Sequence, residues 1–163
     1  NVSEAELDDT EEWNGSAWTA AADNNTARRK VTGAGTQNAG IIFGGSVHPA
    51  MSKLTETYDG TTWTERNDMN FARAQLGGAG SQNAAVAFNG DLGPSIANIS
   101  TCTEEWNGTS WSVAGATIVS RRHIGGAGSQ ASALAFGGYA LSASPATEEY
   151  SVSHLKTVEI DGV

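Results

Sequence analysis

The sequence predicts an all-β protein made of repeated antiparallel sheet units, and three observations carry that reading. Three segments, Thr10 to Phe43, Thr55 to Phe88 and Thr103 to Phe136, align with one another without a gap over 34 positions. Each holds an Asn-Gly or Asp-Gly pair between aromatic-bearing runs, at Asn14-Gly15, Asp59-Gly60 and Asn107-Gly108, the composition of a tight hairpin. Each ends in a short apolar run stopped by turn formers, too short for a helix.

Taken in chain order, a unit opens on Thr-Glu and a first aromatic (Trp13, Tyr58, Trp106), with a second aromatic five residues later (Trp18, Trp63, Trp111). These are read as two strands joined by a type I′ turn, because Asn-Gly and Asp-Gly tolerate its positive φ angles. Ten residues on stands Arg28, Arg73 or Arg121, and five further begins Gly-Ala-Gly-Thr/Ser-Gln, at Gly33 to Gln37, Gly78 to Gln82 and Gly126 to Gln130. Glycine weakens an ordinary strand but suits one where several backbones converge. The apolar runs Ala39 to Phe43, Ala84 to Phe88 and Ser132 to Phe136 follow, each read as a buried strand. That makes four strands per unit, and a fourth copy opens at Thr147-Glu148-Glu149-Tyr150.

Four-stranded units recurring every 40 to 50 residues are the blades of a β-propeller. Arg before the inner strand, an apolar strand ending in Gly-Gly, an aromatic about thirteen residues on and a Trp five after it together resemble the kelch motif. Gly44-Gly45, Tyr58 and Trp63 show the match best. The resemblance implies a β-propeller of four-stranded antiparallel kelch-like blades, about 3.5 of them in residues 1–163. Gly-Gly becomes Asn89-Gly90 in the second copy, and the Gly-Ala-Gly-Ser-Gln segment is more stereotyped than in most kelch proteins. In that glycine-rich form, with its Trp-Asn-Gly-Thr-Ser-Trp hairpin at Trp106 to Trp111, the chain also resembles repeat proteins among the predicted virion structural proteins of marine tailed bacteriophages.

Counted by strands, a half-blade overhang at residues 5–20 precedes repeats starting near 10, 55, 103 and 147, the last ending near Glu148 to Ser153 and Leu155 to Asp161. Such an arc needs completion, by further chain or, as the preferred expectation, by other copies. The chain also begins at Asn1 rather than Met, which is read as a sign of a longer parent protein.

Composition narrows the function. A net charge of −9 and a pI near 4.6 argue against nucleic acid as a partner. Cys102 is the only cysteine, so an intramolecular disulfide and a thiol pair for zinc are excluded. No apolar run reaches the length of a membrane-spanning helix, and no membrane insertion is expected. His48, His123 and His154 stand apart without metal-ligand spacing, and there is no nucleophile elbow or phosphate loop. The expectation is therefore a protein with no catalytic residues, no metal and no cofactor.

Length variation between copies falls in one place, after the phenylalanine. The connectors Gly44 to Leu54, Asn89 to Cys102 and Gly137 to Ala146 have 11, 14 and 10 residues. Unequal loops on a repeated frame are where recognition concentrates, and the candidate contact residues there are Val47, His48, Met51, Leu92, Ile96, Ile99, Tyr139 and Leu141. Arg28, Arg73 and Arg121, with Gln37, Gln82 and Gln130, are expected near a central opening. There the arginines serve either as an anion clamp or, as recurrence in every copy favours, as structural partners of Glu11, Glu56, Glu104 and Glu148. The glutamines are expected to bond backbone around the inner strands, and the aromatic pairs to anchor packing.

Two resemblances and the absent chemistry converge on a non-enzymatic structural or adhesive protein of a phage virion. Its expected partners are other structural proteins, copies of itself, or a host surface receptor or glycan. The alternatives are a secreted or cell-surface bacterial binding module and, less favoured, a carbohydrate-active propeller enzyme.

Overall fold

The computed structural model describes residues 5–93, 98–140 and 142–151. Among them there is no helix, and fifteen strands run β1 (Glu11–Trp13), β2 (Trp18–Ala20), β3 (Thr32–Thr36), β4 (Ala39–Phe43), β5 (Ser46–Val47), β6 (Ala50–Met51), β7 (Thr55–Tyr58), β8 (Trp63–Arg66), β9 (Gly77–Ser81), β10 (Ala84–Phe88), β11 (Thr103–Trp106), β12 (Trp111–Ala114), β13 (Gly125–Ser129), β14 (Ser132–Phe136) and β15 (Thr147–Ser151). They form antiparallel sheets in the orders β1-β2, β3-β4-β7-β8, β9-β10-β11-β12 and β13-β14-β15, with β5-β6 a small ribbon of its own. The expected final strand at Leu155 to Asp161 lies outside the described residues.

Register repeats with the sequence. Phe43 faces Thr55, Phe88 faces Thr103 and Phe136 faces Thr147 across the second and third strands of successive sheets. The glycine-rich strands lie side by side, β9 between β3 and β13. Gly126 is required by that approach: a Cβ there would stand 2.4 Å from the Gly78 carbonyl oxygen and 2.7 Å from Phe88 Cζ.

The sheets pack face to face, and β10 is buried on both sides. Ala85 and Ala87 join Ile41, Phe43, Trp106 and Trp111 in one cluster, while Val86 and Phe88 join Ala79, Ile124, Ala133 and Ala135 in the next. Alternate residues of a strand point to opposite faces, so an apolar run without alternation marks a strand with a sheet on each side. The alanines leave room for large neighbours: Trp111 meets Phe43 edge-on, with ring centroids 4.9 Å apart. Each fully buried aromatic of this kind contributes roughly 1.5–3 kcal/mol. At the ends of the stack the equivalent residues have no covering sheet among the described residues, and Trp18 and Phe136 are 63% and 42% exposed.

The second aromatic of a unit also locks onto the sheet before it. Trp63 Nε1 donates to Thr10 Oγ1 at 3.0 Å and Trp111 Nε1 to Thr55 Oγ1 at 2.9 Å. Within each pair the rings pack at 5.6, 4.9 and 5.5 Å for Trp13–Trp18, Tyr58–Trp63 and Trp106–Trp111.

The hairpins are where expected, but not their turn type. Only the glycine of each pair has positive φ, and four residues separate the paired aromatics. The reason is the side chain before the glycine: Asn14 Oδ1 accepts the N–H of Ser16 and Ala17, Asp59 Oδ1 those of Thr61 and Thr62, and Asn107 Oδ1 those of Thr109 and Ser110. That local bond holds a wider turn than type I′.

Candidate functional site

The connectors after β4, β10 and β14 and the linkers leading into β3, β9 and β13 lie at one end of the sheets; the Asn-Gly and Asp-Gly hairpins lie at the other. This loop end is assembled on the three arginines. Arg73 is fully buried; its Nη1 donates to the carbonyls of Asn89 and Cys102 at 2.8 and 2.6 Å, and its Nη2 to Glu104 Oε1 at 2.9 Å. Arg28 does the same to Gly44, Leu54 and Glu56, and Arg121 to Gly137, Ala146 and Glu148. Each guanidinium therefore ties together the first and last carbonyl of an unequal connector and a carboxylate on the strand that follows.

Of the two roles expected for the arginines, the geometry gives the structural one. The guanidinium groups are enclosed inside each sheet's loop end, spent on three acceptors apiece, and none is presented for an anion clamp. Burial pushes the pKa of Arg28 and Arg73 down, and the facing Glu56 and Glu104 oppose the shift. The second carboxylate oxygen is used as well: Glu56 Oε2 accepts Asn25 N–H and Nδ2, and Glu104 Oε2 accepts Asn70 N–H and Nδ2. Glu11, the equivalent in the first hairpin, is exposed.

The glutamines work at the opposite end. Gln82 Nε2 donates to the carbonyls of Gly40 and Tyr58, and Gln130 Nε2 to those of Ala85 and Trp106. They staple each inner hairpin to the second and third strands of the preceding sheet, not to the inner strands. Gln37, preceded among the described residues by only the two-stranded β1-β2 sheet, reaches the Glu12 side chain instead. Two tyrosines add a link: Tyr58 donates to Glu12 Oε1 and Tyr150 to Glu105 Oε1, both at 2.7 Å. The bond to Glu12 pushes the Tyr58 pKa up to about 12, and burial with the Glu105 bond raises that of Tyr150.

What remains is the connectors themselves. Val47, Leu92 and Tyr139 are each about two-fifths exposed, His48 is exposed, and Met51 and Ile99 are half-buried. Ile96 and Leu141 lie outside the described residues. Sequence reasoning missed the residue that joins two connectors: Arg122 pairs with Asp91 at 3.0 Å and lies over the Tyr139 ring at 5.5 Å. The doublet Arg121-Arg122, against Arg73-Ala74 in the preceding copy, was its only signal. Asn89-Gly90 also finds its reason here. That position has positive φ in every copy, which asparagine tolerates, and Asn89 Nδ2 bonds the carbonyls of Ser100 and Val119.

Among the described residues no group of three or more His, Cys, Asp or Glu is placed to hold a metal ion. Burial raises the pKa of the Cys102 thiol, which disfavours the reactive thiolate.

No protein-family model and no curated protein matches the chain. Among solved structures it is similar to one described as "Structure of YjhT", with a TM-score of 0.71 and 14% identity over 83% of this chain. The chain spans about half, 46%, of that protein. At this identity the likeness speaks for a shared all-β fold alone.

Proposed function

We propose that the chain is a stretch of kelch-like β-propeller, each four-stranded sheet a blade, serving as a non-enzymatic structural or adhesive protein of a tailed-phage particle. Its loop end holds another structural protein, a further copy of itself, or a host surface receptor or glycan. The observation that carries this reading is the division of labour in the repeat. The recurring Arg–Glu pairs and the Gln82 and Gln130 staples are consumed by the frame, whereas the connectors differ in length and expose Val47, Leu92 and Tyr139. Apolar side chains on unequal loops suit protein contact better than catalysis. The assignment to a virion rests on the Trp106 to Trp111 hairpin and its glycine-rich surroundings.

Replacing Val47, Leu92 and Tyr139 together by serine tests the loop end. Incorporation into particles, read by quantitative immunogold labelling, is expected to fall at least tenfold while the melting temperature stays within about 4 °C. Wild-type incorporation of the triple variant would overturn the loop-end reading. Labelling of bacterial surfaces, with none on particles, would replace the virion by a cell-surface binding module.

A further inference from the structure

The joint between two neighbouring sheets is displayed in full by β3-β4-β7-β8 and β9-β10-β11-β12. The aromatic pair Trp106 and Trp111 of the second sheet packs on Ile41 and Phe43 of the first in one buried cluster. The Trp111 N–H goes to Thr55, as the Trp63 N–H goes to Thr10 in the sheet before. Trp13 and Trp18 hold the repeat positions of Trp106 and Trp111; Leu134, Phe136 and Thr147 hold those of Ile41, Phe43 and Thr55. The tryptophans stand on β1 and β2 at one end of the stack, the other three on β14 and β15 at the opposite end. Each end thus carries one half of a joint, and the two halves are of opposite kind.

Both halves are open. Trp13 and Trp18 are 45% and 63% exposed where Trp106 and Trp111 are 1% and 7%, and Leu134 and Phe136 are 40% and 42% exposed where Ile41 and Phe43 are 1% and 0%. Among the described residues the Trp18 indole N–H and the Thr147 hydroxyl make no hydrogen bond. Large apolar groups left exposed together mark a contact surface. A second copy of the chain carries the complement of each end, in the arrangement that the chain already buries between its own sheets. Since the chain spans 46% of the solved structure it is similar to, two copies in series approach the size of that fold.

We propose that copies of the chain join head to tail, the Trp13 and Trp18 face of one packing on the Leu134 and Phe136 face of the next, with the Trp18 N–H donated to Thr147 Oγ1. Phe136 gives Trp18 the ring edge that Phe43 gives Trp111. The contact is heterologous, since the two copies meet through different surfaces. It lies on the sheet faces and not on the unequal connectors, so it is independent of what the loop end holds.

Analytical ultracentrifugation of the full chain tests this. The wild type is expected to sediment at no less than twice its 16.8 kDa. Trp18→Ala and Phe136→Ser, both at exposed positions, should keep the wild-type circular dichroism and each weaken association at least thirtyfold. Mixed together, the two variants should pair one to one, because each still carries the face that the other has lost. Trp18→Phe, which keeps a ring and removes the donor, should weaken association about fivefold. Serine at Val47, Leu92 and Tyr139 should leave association unchanged, which separates this joint from the loop end. A wild-type monomer at about 100 μM would overturn the proposal and give the two faces to a different polypeptide. Wild-type association of Phe136→Ser would overturn it in favour of a contact between two Trp18 faces, and a mixture that stays monomeric would overturn the head-to-tail pairing. Loss of association in the triple serine variant would overturn it by moving the contact to the loop end.

Discussion

Removing Arg73 is the sharpest perturbation of the frame. Arg73→Met keeps most of the aliphatic volume and takes away three donated bonds, to Asn89 O, Cys102 O and Glu104 Oε1. Cys102 O retains the N–H of Asn89, so one carbonyl is orphaned. The larger loss is electrostatic. Glu104 is 0% exposed and loses its only cationic partner within ion-pair distance among the described residues. Breaking a buried pair from one side costs about 3–5 kcal/mol. The Asn70 bonds to Glu104 Oε2 remain and the orphaned carbonyl adds to the cost, which places the expectation near 4 kcal/mol. For a chain of this length that is a fall of about 8–16 °C in melting temperature. Urea titration followed by tryptophan fluorescence measures it directly. The double change Arg73→Met with Glu104→Leu removes both charges and should recover at least half of the loss. A loss below about 1 kcal/mol for the single variant, or a double variant no better than the single, would refute the argument that the pair acts as a buried, mutually dependent unit.

Two further outcomes follow from the geometry. Gly126→Ala drives a Cβ against the Gly78 carbonyl, a backbone atom that cannot swing aside, and should cost about 1–3 kcal/mol in the same titration. A change under about 0.5 kcal/mol would show that the inner strands are not in close approach. Asp59 has its pKa held below the usual 3.8 by the N–H groups of Thr62 and Thr61. Its stabilising effect is therefore present above that value and lost as pH falls through the lower folded one. Asp59→Asn keeps the turn acceptor without the titration, so its melting temperature should fall less than wild type between about pH 4 and pH 2.5. Superimposable profiles would remove Asp59 from the acid response.

The parts of this structure that the sequence made legible are those decided within one repeat. Strand positions followed from Phe43, Phe88 and Phe136 and from the Asn-Gly and Asp-Gly turns, because hairpin pairing is local. The need for a carboxylate opposite each arginine was visible in their joint recurrence. That the arginine would also take both ends of the connector was not, since a backbone carbonyl leaves no mark in the side-chain pattern. The Trp111 to Thr55 bond spans 56 residues and is set by how sheets stack, which no local period records. The turn type was misread for a related reason: Asn14, Asp59 and Asn107 compete for backbone N–H groups through their own side chains, and the dipeptide rule attends only to φ.

The arginine-held connectors carry a consequence for how such a molecule can change. Since Arg28, Arg73 and Arg121 grip main-chain oxygens at the two ends of each connector, the grip is blind to the side chains in between. Segments of 11, 14 and 10 residues are fastened by the same fitting. Each connector is thus an interchangeable cassette, free to be lengthened, exchanged between positions or replaced by foreign sequence while the mounting beneath it stays the same.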